Sequence, residues 1–117
     1  MGRRKIVREA DIAKCMYKVY VERKSYATAA EELGLKTTTL ANYTRKALRN
    51  AEIIWKSKSV RAITFDKALL ALVYRFDNNK SYGEIASDLG ISKTTAARVV
   101  SQLENVVRDV LNEKEKN

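Results

Sequence analysis

Thr94, Arg98, Ser101, Gln102 and Asn105 fall on one side of a 3.6-residue wheel, opposite Ala96, Val99, Leu103, Val107 and Val110. A helix built from this stretch has a dry side and a side carrying a guanidinium, amides and hydroxyls. Those groups suit hydrogen-bonded recognition. Bond-making chemistry has far less to stand on. The chain contains no histidine and one cysteine, Cys15, so an internal disulfide is impossible and the usual nitrogen and sulfur metal sites lack ligands. Cys15 reads as a small buried side chain.

The same rhythm is written twice. A shift of 56 residues carries Lys24, Ser25 and Tyr26 onto Lys80, Ser81 and Tyr82, Ala30 onto Ala86, Leu33 and Gly34 onto Leu89 and Gly90, and Thr38 and Thr39 onto Thr94 and Thr95. Upstream, Phe65, Ala68, Leu69, Leu72, Val73 and Phe76 make a helical apolar stripe; five of their counterparts, Ile12, Ala13, Met16, Tyr17 and Tyr20, stay apolar. Each copy therefore predicts an amphipathic helix, a short helix, a glycine turn and a third helix. In the second copy Ser81 and Glu84 have capping-box spacing, Gly90 suits a left-handed turn, Ile91 plugs it and Ser92 caps the next helix. In the first, Lys36 stands where Ser92 does, which predicts a helix start displaced to Thr37.

Composition sets the bounds. At 117 residues and 13.3 kDa, two such units would each have a marginal core, so shared packing or a bound partner is expected. No proline, four glycines and many good helix formers predict an all-α chain. A net charge of +9 suits a polyanionic partner. No apolar run nears the roughly 20 residues of a membrane span, and MGRRKIVREAD lacks a signal-peptide core, so a cytoplasmic, nucleoid-associated protein is expected. No small-molecule substrate is expected.

The glycine-turn copies resemble the helix-turn-helix superfamily of DNA-binding proteins. The likeness rests on Ala86, Leu89, Gly90, Ile91 and Val99, matched by Ala30, Leu33, Gly34, Leu35 and Tyr43. It implies two tandem three-helix, homeodomain-like units: residues 1–54, a linker at 55–63, and residues 64–117. In that family the helix after the turn enters the major groove with its N-terminal residues on base edges. Carried over, this gives base readers Thr37, Thr38, Asn42 and Arg45 in the first unit, and Thr94, Arg98, Gln102 and Ser101 in the second. Arginine can pair bidentately with guanine and Asn or Gln with adenine, so Asn42, Arg98 and Gln102 carry most of the potential sequence information. Lys36, Lys46, Lys93 and Ser92 are expected on phosphates. Lys24 with Ser25 and Lys80 with Ser81 would direct a cation and a helix N-terminus at phosphate, the rings of Tyr26 and Tyr82 being mainly core.

Between the units, Lys56, Lys58 and Arg61 would follow the backbone from the linker, and Arg3, Arg4 and Lys5 form an arm that could enter a minor groove. Residues 1–56 carry 13 basic and 6 acidic side chains, net +7; residues 57–117 carry 10 and 8, net +2. The first unit should therefore supply more nonspecific affinity. The expected function is sequence-specific binding of double-stranded DNA at an asymmetric site, by a monomer with two heads or by a homodimer, in transcription regulation or a related process. In layout the chain resembles the archaeal CRISPR DNA repeat-binding proteins, which are tandem helix-turn-helix units on short linkers. The competing class is a helical interaction or dimerisation module using Val99, Val100, Leu103, Val106, Val107, Val110 and Leu111 as its surface. A detached DNA-binding domain of a recombinase or transposase is a further alternative. RNA fits less well, because a narrow A-form major groove does not admit a helix. An enzyme is not expected: GISKTT, Gly90 to Thr95, lacks the glycine that a phosphate-binding loop needs directly before its lysine.

Overall fold

The computed structural model describes residues 6–58 and 63–116. It contains six helices: α1 (Glu9–Tyr20), α2 (Tyr26–Leu33), α3 (Thr37–Lys58), α4 (Phe65–Asp77), α5 (Tyr82–Leu89) and α6 (Lys93–Lys116). Among the described residues there is no strand. Each helix of the second half starts 56 residues after its counterpart in the first. The sequence offset is thus also the structural register.

Local chemistry explains the boundaries. Ser25 Oγ accepts from the Thr28 amide at 3.1 Å, and Thr64 Oγ1 from the Lys67 amide at 3.2 Å. At α5 the capping box is complete: Ser81 Oγ accepts from the Glu84 amide at 3.2 Å, and Glu84 Oε1 from the Ser81 amide at 2.9 Å. Both short helices end on a left-handed glycine, Gly34 (φ 70°, ψ 34°) and Gly90 (φ 69°, ψ 36°), as a sharp turn into the next helix demands. The third helix of the first half starts at Thr37, as expected, and this is not a displacement relative to the second half. Thr37 and Lys93 begin α3 and α6 at equivalent positions, although Lys36 supplies no short capping hydroxyl.

Packing joins the halves. Ile12, Ala13 and Met16 of α1 share one buried cluster with their own counterparts Ala68, Leu69 and Leu72 of α4. Ala47, Leu48 and Ala51 of α3 and Val99, Leu103, Val106, Val107 and Val110 of α6 complete it. Equivalent positions of both repeats thus contribute to one shared core. Two satellite clusters flank it, Cys15, Ala29, Ala30, Leu33 and Leu40 in one half, and Ala71, Ile85, Ala86, Ala96 and Val100 in the other. Thr44 takes the place of Val100 in the first half, its hydroxyl buried beside the Cys15 thiol.

This core bears on two expectations. The long apolar stripe of α6 is filled by the protein itself, Leu111 included as a half-buried neighbour, and offers no open docking face. The connection is also shorter than the expected linker at 55–63. α3 continues through Trp55 and Lys56 to Lys58 because its apolar side chains keep helical spacing: Ile54 packs on the shared core, and the Trp55 ring lies 5.5 Å from that of Phe65. Ile63 is already buried before Thr64 starts α4. Across the halves Tyr20 meets Phe65 edge to face at 5.0 Å, and Lys14 pairs with Asp77 at 2.9 Å.

Candidate nucleic-acid interface

The residues that could read a ligand sit on the first three turns of α3 and α6, which follow the two left-handed glycines. Ser92 Oγ accepts from the Thr95 amide at 3.1 Å and donates to Thr95 Oγ1 at 2.8 Å, which fixes the start of α6. From there Thr94 and Arg98 are exposed, whereas Ser101 and Gln102 are half-buried. The Ser101 hydroxyl donates to the Arg98 carbonyl at 3.2 Å and is partly spent within the helix. On α3, Thr37, Thr38, Asn42 and Arg45 are all exposed. Lys36, Lys46 and Lys93 are exposed as well.

Other candidate positions are engaged inside the protein. Lys24 bridges Glu32 at 3.0 Å and Glu22 at 3.3 Å, and Lys18 closes on the same Glu32 at 2.7 Å. These cations, Lys18 first, pull the Glu32 carboxyl below its ordinary pKa, and Glu32 in turn lifts that of Lys24. Lys80 pairs with Asp88 and lies 4.4 Å from the Tyr74 ring centroid. The hydroxyls of Ser25, Ser81 and Ser92 serve as helix caps. Lys56 lies exposed near the far end of α3, and Lys58 is the last helical residue. Arg3, Arg4, Lys5 and Arg61 lie outside the described residues.

The two halves differ most beneath their third helices. In the second, Glu104 is only 4% exposed and gathers three groups: the Tyr82 hydroxyl donates to Oε1 at 2.8 Å, Arg108 to Oε2 at 3.3 Å, and Arg75 Nε lies 3.6 Å from Oε2. Arg75 also covers the Tyr82 ring at 4.5 Å. A buried carboxylate so surrounded ties α4, α5 and α6 together. Burial first, then the hydrogen bond to Glu104, raises the Tyr82 pKa. Glu104 was not singled out from the sequence. Its signal was available, since a carboxylate on the flank of an otherwise apolar helical face asks for partners. Its counterpart in the first half is Leu48, and there Arg45 of α3 lies 5.0 Å from the Tyr26 ring.

Among the described residues no group of three or more His, Cys, Asp or Glu is placed to hold a metal ion. Burial raises the pKa of Cys15, which leaves it a poor nucleophile. Among the described residues no helix is long and apolar enough to cross a membrane. No protein family, curated protein or solved structure gives a match to this chain.

Proposed function

We propose that the chain is a double-stranded DNA-binding protein of the helix-turn-helix class. Two unequal reading heads, carried by α3 and α6, recognise one asymmetric site. In layout it resembles the archaeal CRISPR DNA repeat-binding proteins, with a role at repeated DNA or in transcription.

One observation carries the reading: the same glycine turn, at the same register, precedes an exposed polar first turn on both α3 and α6, in a chain of net charge +9. Neither polar face is needed for packing, because the shared core uses the opposite sides of both helices. The geometry is compatible with two successive major grooves. α3 and α6 approach each other around Asn50, Ile54 and Val106, which lie about 20 Å along each helix from its start at 1.5 Å per residue. The reading requires their N-terminal turns to stand ~34 Å apart, the spacing of adjacent major-groove turns, within the 45 Å length of the molecule. Thr38, Asn42 and Arg45 differ from Thr94, Arg98 and Ser101, so the two half-elements should differ.

The test uses the whole chain and a duplex enriched from random sequence by repeated selection. Half-elements about 10 base pairs apart are expected. Inserting about 5 base pairs turns the second element to the opposite face of the duplex, and a protein whose heads share one core cannot follow, so affinity should fall to that of a single element. No enriched sequence, or an affinity indifferent to the insertion, would overturn the two-headed reading.

A further inference from the structure

Beyond its first turns, α3 borders an open groove of about 500 Å³. Tyr26, Leu48 and Ile53 form its apolar floor; Arg45, Arg49 and Lys56 stand around it, with Glu52 as the one acid. Ile53 is 61% exposed, and no fold requirement explains an isoleucine there. The second half is an internal control. Counterparts of Arg45, Arg49, Ile53 and Lys56 are Ser101, Asn105, Asp109 and Asn112, and Leu48 is replaced by Glu104 with its own partners. That half builds the same three helices and keeps Tyr82, but Arg108, at the place of Glu52, is paired with Glu104, and Asp109 stands where Ile53 does. The groove is therefore an addition to the fold.

We infer that this groove is the docking site for an acidic amphipathic helix of a partner protein. Arg45 to Lys56 spans about 16 Å along α3, three helical turns, which matches a partner helix laid alongside with apolar anchors at i, i+4 and i+7. Charge complementarity selects acids for its flanks. Among the described residues Arg49 and Lys56 hold no ion pair, and Arg45 rests on the Tyr26 ring. A phosphate backbone would satisfy the cations but would bring no apolar surface to Ile53. A second copy of this chain is disfavoured because like charges would face each other across the patch. The inference does not depend on DNA binding, although α3 would let an occupant act on the reading turns of the same helix.

Fluorescence anisotropy with a labelled, i,i+4-stapled peptide tests it, leucines along one face and glutamates on both flanks. The controls are a permuted peptide of the same composition and poly-glutamate. Saturable binding is expected, at least about tenfold weaker for the permuted peptide and for Ile53→Asp or Arg49→Glu, and unchanged for Asn105→Glu in the second half. All three substituted side chains are exposed, and thermal melting of each variant confirms folding. No saturable binding, equal binding of poly-glutamate, or indifference to Ile53→Asp would overturn the inference. It would equally fall if Ile53→Asp dissociated a dimer seen by sedimentation, or weakened duplex binding as much as peptide binding. Peptide binding in a protein that ignores all duplexes would sink the DNA-reading function and leave this site standing.

Discussion

The Tyr82 hydroxyl donates a 2.8 Å hydrogen bond to Glu104, twenty-two residues on, where the first half has Leu48 and lays Arg45 over the Tyr26 ring at 5.0 Å. One repeat thus closes its third helix onto its second through a buried carboxylate, and the other through apolar contact. Removing the carboxylate with Glu104→Ala leaves the Tyr82 hydroxyl and two arginines without their acceptor and should cost about 1–3 kcal/mol. Glu104→Leu, which copies the first half, should cost less, because it refills the space. Urea unfolding measures both; equal losses would mean that volume is irrelevant and only the charge network matters.

The same bond makes stability pH-dependent on the alkaline side. The folded-state pKa of Tyr82 is raised, so its contribution is fully present below the unfolded tyrosine value of about 10 and is lost as pH rises through the folded value. The stability gap between the wild type and Tyr82→Phe should stay constant from pH 7 to about 9 and shrink above about 10. A gap that widened with pH would contradict the sign of the shift.

Because Leu69 and Leu103 are buried in a cluster shared by both halves, neither half should melt alone. Leu69→Ala is expected to cost about 2–5 kcal/mol and to lower one common transition. Trp55 belongs to the first half and touches Phe65 of the second, so its fluorescence should change in step with helix content by circular dichroism. Two separated transitions would show that the halves unfold independently.

On DNA, Lys36→Ala with Lys93→Ala should weaken binding to any duplex and flatten the log-log salt dependence by up to about 2 units if both cations meet phosphate. Arg98→Ala and Asn42→Ala should instead each cost on the order of 1–3 kcal/mol on the selected site while barely changing binding to random duplex. Competition titrations separate the two patterns. Equal losses on both DNAs would demote Arg98 and Asn42 to backbone contacts.

What the sequence determined by itself is everything governed by neighbours three or four residues apart. Capping hydroxyls at Ser25, Thr64, Ser81 and Ser92, left-handed turns at Gly34 and Gly90, and apolar stripes at helical spacing are local, and they specify six helices in two copies 56 residues apart. The exposure of Thr38, Asn42, Thr94 and Arg98 follows from the same periodicity. A stripe, however, states that a face must be covered without stating by what. Only the tertiary structure decided that Ile12 and Met16 meet their own repeats Ala68 and Leu72, and that α3 runs past Trp55 because Phe65 waits across the connection. It also tied up Lys24 with Glu32 and Lys80 with Asp88, each eight residues on. The buried Glu104 and the basic groove at Ile53 belong to the same category: their chemistry comes from side chains on different helices, brought together by packing.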